Sequence, residues 1–328
     1  TTLFRSHLIC HNTFRDVMDL MQFYEEDALP GNPMFYSQSQ AQAYAWMGDY
    51  YPELLERIVA WKDRGLWEPV GGMWAESDTN LPSGESLVRQ VVYGKLYFLE
   101  HLDTDVRVGW LPDTFGYSAS LPQIFKKAGI DYFACTKVTW NDEHPPENHM
   151  FHWTSPDGSS VLTYVSLGHY NDIPMAGALD RLEEKLQRLQ PEIPFYLFYI
   201  GIGDHGGGVF KIFMDMALDL QEEGYPIRFG FSEDFFRDLE AFGVHESVED
   251  ELYVEFHRGT YTSRAHVKEG NRRCETALEV LEKLAALSVP YGGTFPRDDL
   301  DEMWKRVLLN QFHDVLPGSG IDLVYEDT

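Results

Sequence analysis

A chain of 328 residues with 44% hydrophobic and 14% aromatic side chains can bury a substantial core, as one large domain or two ordinary ones, which excludes a disordered polypeptide. Its 26 basic and 53 acidic residues give a net charge of −27, which excludes a nucleic-acid partner and an anionic membrane surface, since both need a basic face. Cys10, Cys135 and Cys274 lie far apart without a Cys-x-x-Cys pair, so neither a disulfide framework nor a cysteine-type zinc site is expected, and a reducing, cytoplasmic setting fits.

Strand-like runs at 34–37, 67–70, 106–111, 132–137, 151–154, 161–166, 195–200 and 227–230 alternate with amphipathic stretches at 14–26, 52–64, 85–100, 179–189 and 210–223. This alternation predicts an α/β fold with a parallel sheet covered by helices, closed or nearly so. Ser155-Pro156-Asp157-Gly158-Ser159 between two of the runs reads as a hairpin turn. Beyond about Asp250 the pattern becomes helical, at 265–287 and 298–312, with Gly292-Gly293-Thr294-Phe295-Pro296 between. No run reaches the ~18 apolar residues of a membrane span. Residues 1–12 lack signal-peptide order, and without an initiator Met the chain reads as part of something longer.

Five segments carry chemistry. Trp110-Leu111-Pro112-Asp113-Thr114-Phe115-Gly116 delivers a lone carboxylate to the C-terminal end of a strand, where open α/β folds place their sites; the alternative is a turn in which Asp113 caps the next helix. Trp110 and Tyr117 are aromatic platforms of the kind a sugar site uses. His313-Asp314 ends an apolar helix just before the Pro317-Gly318 stop, as a metal or acid–base pair or as a satisfied core histidine. The glycine-rich stretch 199–208 lacks dinucleotide spacing, and its Asp204 and His205 fit general acid–base work better. Glu68, Glu76 and Asp78 follow a strand, with Asp78 the site candidate; Glu85 and Arg89 beyond them read as a surface ion pair. His257-Arg258-Gly259-Thr260-Tyr261-Thr262-Ser263-Arg264 is a donor-rich junction between the two parts.

In order and spacing these segments resemble the zinc-dependent α-mannosidases of glycoside hydrolase family 38, in their bacterial and cytosolic branch. The resemblance runs from about Thr13 to Ser319. It implies an irregular (β/α)7-type barrel as the catalytic domain over residues 1–248. A small helical-bundle domain over 249–328 would contribute to the active site. It further implies a retaining hydrolase for terminal α-linked mannose on oligosaccharides, with zinc as cofactor and no nucleic-acid or membrane partner; a homo-oligomer is allowed. Asp113 takes the position of the nucleophile that also touches zinc, His313 that of a zinc ligand, and Asp204 that of the acid/base, a role for which His205 competes. Asp314, Lys137, His257, Arg258 and His205 fall at substrate-binding positions. The family's first zinc ligands belong to a His-x-Asp-x-x-Trp segment expected just upstream of Thr13; residues 1–12 contain His7 and His11 but not that motif. A metal-dependent carbohydrate deacetylase on a related barrel, or a sugar-binding module without catalysis, are the competing readings.

Overall fold

The computed structural model describes residues 6–28, 33–170, 173–202, 207–326 and 328. Helix α1 (Ser6–Phe23) buries Phe14, Val17, Met18 and Met21, the spacing that makes one apolar stripe. Strand β1 (Tyr36–Gln38) runs parallel to β2 (Trp67–Pro69), with α2 (Ala41–Tyr50) and α3 (Pro52–Asp63) between them. Pro52 in the first turn of α3, Glu53 beside it and Lys62 in the last turn suit the helix ends and dipole. Helix α4 (Gly84–Leu102) starts at Ser83, whose hydroxyl accepts the Ser86 N–H at 3.1 Å.

The main sheet uses β3 (Val108–Leu111), β4 (Tyr132–Cys135), β5 (Met150–Thr154), β6 (Ser160–Val165) and β7 (Ser247–Val248), in the order β3-β4-β6-β5-β7. The β5–β6 pair is antiparallel and the others parallel, so the sheet is mixed. The hairpin forms as its sequence demands: Ser155 N–H donates to Ser159 O at 2.9 Å, and Gly158 adopts φ +83°. The β1–β2 pair meets the edge of β3 through Gly71, whose N–H reaches Val108 O at 2.8 Å from φ +87°. Helices α5 (Leu121–Lys127), α6 (Ala176–Leu189), α7 (Lys211–Glu222) and α8 (Ser232–Phe242) complete the α/β part. Two helices follow, α9 (Ala265–Ser288) and α10 (Arg297–Asn310), packed on each other and, through α10, on α4.

Two predicted strands are corrected. Residues 195–200 and 227–230 belong to no helix or strand and have no ladder partner among the described residues. Both border a cavity of about 380 Å³ beside β1, lined by apolar side chains, among them Phe195, Leu197 and Phe229, so at this edge side chains face a cavity and no ladder forms. Helices α2 and α8 were absent from the sequence-predicted elements. The Glu85–Arg89 pair is also more than a surface contact. Arg89 bonds Glu85 at 2.8 Å, grips Glu282 of α9 through two nitrogens at 2.8 and 2.6 Å, and stacks over Trp304 of α10 at 4.1 Å.

Candidate active site

Strand register explains how the site assembles. Leu111 pairs with Cys135, so both chains leave the sheet side by side, and Lys137 N–H continues the ladder onto Pro112 O at 3.1 Å. Asp113 and Lys137 therefore face each other two residues beyond the paired strand ends. The Lys137 ammonium donates to Asp113 Oδ1. It lies over the ring of Trp140 at 3.9 Å and within cation–π range of Phe115 at 5.5 Å and Tyr170 at 5.7 Å, an aromatic surround that fixes the buried cation.

His313 arrives from the other end of the chain. It sits not in α10 but in the turn after it, which bridges to the 76–78 strip through Ser77 and Phe312. One carbonyl, Glu76 O, accepts both the His313 backbone N–H at 3.1 Å and the ring Nδ1–H at 2.9 Å. With Nδ1 so engaged, Nε2 is the ring atom left to act, and it faces Asp113 Oδ2 at 3.8 Å.

The three carboxylates in and after β2 separate into different tasks. Glu68 is buried and accepts from Ser37 Oγ at 2.5 Å, Ser232 N at 3.1 Å, Ser232 Oγ at 2.7 Å and Glu233 N at 3.0 Å, which caps the start of α8. Asp78 accepts from Asn80 N at 2.8 Å and Leu81 N at 2.7 Å, so the candidate named from sequence holds a turn. Glu76, which sequence reasoning did not single out, reaches the site. Its side chain accepts from Ser39 Oγ and lies 3.9 Å from His313 Nδ1. Burial pushes its carboxyl up, His313 and Ser39 oppose that, and Asp113 and Asp314 add to it.

Glu76, Asp113, His313 and Asp314 line one cavity of about 680 Å³, together with Trp110 and Ser39. Trp110 thus stands where a sugar platform is expected, packed edge-on against Tyr199 at 4.9 Å. Tyr117 does not: it is fully buried, its hydroxyl donates to Leu111 O at 2.6 Å, and its ring packs on Phe133 and Trp153. The Asp314 carboxylate takes one bond at Oδ1, from Ser319 Oγ at 2.7 Å. His257 packs at a tilt on Phe115 at 4.4 Å and Trp140 at 5.3 Å, and its buried Nδ1 has no hydrogen-bond partner among the described residues. Burial, then the Lys137 charge, hold its imidazole below the ordinary histidine range, against Asp113 and Asp314. Arg258 is exposed and is not among the residues lining the cavity. Asp204 and His205 lie outside the described residues.

Asp113 and His313 suit a metal as a donor set. An imidazole nitrogen and a carboxylate oxygen are donor types that zinc takes, and here His313 Nε2 and Asp113 Oδ2 lie 3.8 Å apart. Among the described residues no group of three or more His, Cys, Asp or Glu is arranged to hold one.

Comparison with known proteins agrees with this architecture. The chain is 39% identical over 336 residues to Alpha-mannosidase G of Dictyostelium discoideum, covering 97% of this chain and 29% of that protein. It is 38% identical over 304 residues to human Alpha-mannosidase 2C1, covering 90% and 29% respectively. The chain thus spans under a third of the length of these curated relatives. The crystal structure of an alpha-mannosidase from Enterococcus faecalis V583 superposes with a TM-score of 0.82 at 21% identity, covering 100% of this chain and 38% of that one. Residues 3–253 match the glycosyl hydrolases family 38 N-terminal domain and residues 255–328 the alpha mannosidase middle domain, so the chain belongs to glycoside hydrolase family 38.

Proposed function

We propose that the enzyme containing this chain is a retaining α-mannosidase that removes terminal α-linked mannose from oligosaccharides with the help of zinc. The observation that carries this reading is the convergence of Asp113 and His313, from two distant segments, on one cavity in a family 38 chain, with Lys137 paired to the Asp113 carboxylate. The names of the relatives support the substrate class. We also read residues 1–248 as an irregular (β/α)7-type barrel, with 249–328 as a helical bundle that supplies His313 and Asp314. The three unbridged cysteines support a cytoplasmic setting. No helix among the described residues is long and apolar enough to cross a membrane.

In this mechanism Asp113 is the nucleophile. The Lys137 ion pair at Oδ1 holds the carboxylate in place for attack on the anomeric carbon. The bond from that carbon to Asp113 forms as the bond to the leaving oxygen breaks, and Asp204 gives its proton to that oxygen. Water then attacks the glycosyl ester and returns its proton to Asp204, so mannose leaves with its original configuration. Asp314 accepts hydrogen bonds from sugar hydroxyls, Trp110 offers a ring to the sugar, and His257 is assigned to the substrate-binding set. We assign Arg258 and His205 to the outer part of the substrate path. Asp113 and His313, together with further ligands, would hold zinc, which when bound would supply Lewis acidity toward the vicinal hydroxyls. The test is the proton NMR spectrum of the first sugar released from an aryl α-mannoside, alongside the zinc content of the purified enzyme. Retention with zinc bound supports the reading. Inversion, or hydrolysis undiminished after complete zinc removal, overturns it.

A further inference from the structure

We propose that the amides of Gln90 and Gln311 are positioning residues that set the direction of the His313 ring and tie helix α9 to the reaction. This rests on the function proposed above. The grip on His313 has two sides. One is the Glu76 carbonyl in the strip 76–78, and the other is the turn 311–313 that presents the histidine. Gln90 holds both. Its Oε1 accepts Ala75 N at 3.0 Å, next to the gripping carbonyl, while its Nε2 donates to Leu308 O at 2.8 Å and Gln311 Oε1 at 3.4 Å. Gln311 carries the link outward. Its Nε2 donates to Asn271 Oδ1 at 3.0 Å and Glu275 Oε1 at 3.1 Å, both on one face of α9, and its own carbonyl accepts Asp78 N at 2.8 Å. Glu275 in turn holds Ser83 N at 2.8 Å and Ser86 Oγ at 2.7 Å at the start of α4.

Gln90, Gln311, Glu275 and Ser86 are essentially fully buried. Burying amides and a carboxylate is costly compared with apolar packing, and it is tolerated when every group finds its partner and the network then fixes a geometry. The geometry fixed here is the 2.9 Å Nδ1-to-carbonyl contact, which commits Nε2 to face Asp113. Outer partners of this kind govern how well a histidine ligand serves its metal. The network therefore makes α9, which is separate in sequence from the site, part of the machinery.

Gln190 supplies a matched control. It is equally buried and makes three bonds of the same kind, to His149 N at 2.8 Å, Met150 N at 2.9 Å and Met150 O at 2.8 Å, on the sheet rather than at the His313 turn. In the full-length enzyme, Gln311→Met, Gln90→Met and Gln190→Met are compared for melting temperature, zinc affinity by chelator competition, the absorption spectrum of the cobalt-substituted protein, and kcat and KM on an aryl α-mannoside. Asn271→Ala, which removes one bond at the half-buried end of the network, covers the case in which a methionine variant does not fold. All three methionine variants are expected to melt lower. Only those at Gln311 and Gln90 should lose zinc affinity, on the order of 10-fold or more, with an altered cobalt spectrum and a fall in kcat rather than a rise in KM. Asn271→Ala should show the same pattern more weakly. If the Gln311, Gln90 and Asn271 variants keep zinc affinity, cobalt spectrum and kcat within about twofold of wild type, or change no more than Gln190→Met, the positioning role is wrong while the mannosidase reading stands. A wild-type enzyme that holds no zinc and cleaves no mannoside would overturn that reading itself, and this role with it.

Discussion

Asp113 Oδ2 and His313 Nε2 face each other across 3.8 Å although they come from a strand end and from the turn after the last long helix. Neither side chain is placed by its immediate neighbours in sequence. Asp113 is aimed by the β3–β4 register through Lys137, and His313 by a carbonyl in the strip after β2. Changes that loosen those supports and changes that loosen the fold elsewhere are therefore expected to have separable effects.

The Arg89 clamp joins α4 to both later helices. Arg89→Met removes a bidentate pair with Glu282 and leaves that carboxylate half-buried without its cation, so we expect a loss of about 2 kcal/mol, less than for a fully buried pair because both groups retain solvent contact. Urea denaturation checks this. Arg89→Lys should recover little, since a single ammonium cannot reproduce the fork or the stacking on Trp304.

Glu68→Gln separates a structural carboxylate from a site carboxylate. Four donors point at Glu68, and an amide NH2 in place of one oxygen would meet at least one of them. A stability loss of about 1–3 kcal/mol follows. Activity measured well below the melting temperature should stay within about twofold of wild type.

Gly94 lies in the middle of α4, where a Cβ would come within 2.3 Å of the Met73 carbonyl carbon and 2.5 Å of Gly72 O. Gly94→Ala gains helix propensity of about 1 kcal/mol. The backbone clash outweighs that gain, and we expect a net loss of at least 2 kcal/mol, as in other overpacked sites. A variant as stable as wild type would show that α4 can move off the 72–73 strip.

His149 gives the pH dependence of stability. It is buried at the start of β5, with Nδ1 bonded to Val165 O at 2.7 Å, and burial, reinforced by the Lys185 charge, lowers its pKa from 6.5 to about 4. A depressed pKa means that the folded state prefers the neutral ring. The contribution is thus fully present above pH 6.5, is lost as pH falls toward 4, and amounts to roughly 3 kcal/mol across that window. His149→Gln should flatten the fall in unfolding free energy between pH 6.5 and 4. An equally steep fall in the variant would assign the dependence to other groups.

The parts of the fold legible in sequence are those with a strong local pattern. The runs that became β3, β4 and β6, the turn at Gly158 and the periodicity of α4 and α9 fall close to where they were expected. Helix α2 escaped because Ala41, Gln42, Ala43, Tyr44 and Met47 are all buried, which erases the polar face that marks an amphipathic helix. Helix α8 was legible in the spacing of Phe235, Phe236 and Leu239 but lies outside the predicted elements. In the site, Asp113 and His313 stood out by residue type and segment, whereas Lys137 entered only through the family resemblance. The division of labour among Glu68, Glu76 and Asp78 did not, because it depends on which backbone N–H groups from distant segments each carboxylate meets. The same holds for Trp110 and Tyr117: they flank one corner, yet one lines the cavity and the other fills the core.

The central claim is that Asp113 attacks the sugar, and it is tested most directly by trapping the covalent intermediate. The full-length enzyme is incubated with a 5-fluoro mannosyl fluoride, digested, and its labelled peptide sequenced by mass spectrometry. We predict a single mannosyl ester on Asp113, absent from Asp113→Ala, which should also lose about three orders of magnitude or more in kcat. A label on Glu76, Asp204 or Asp314, or an unlabelled enzyme that is nevertheless inactivated, would contradict the account.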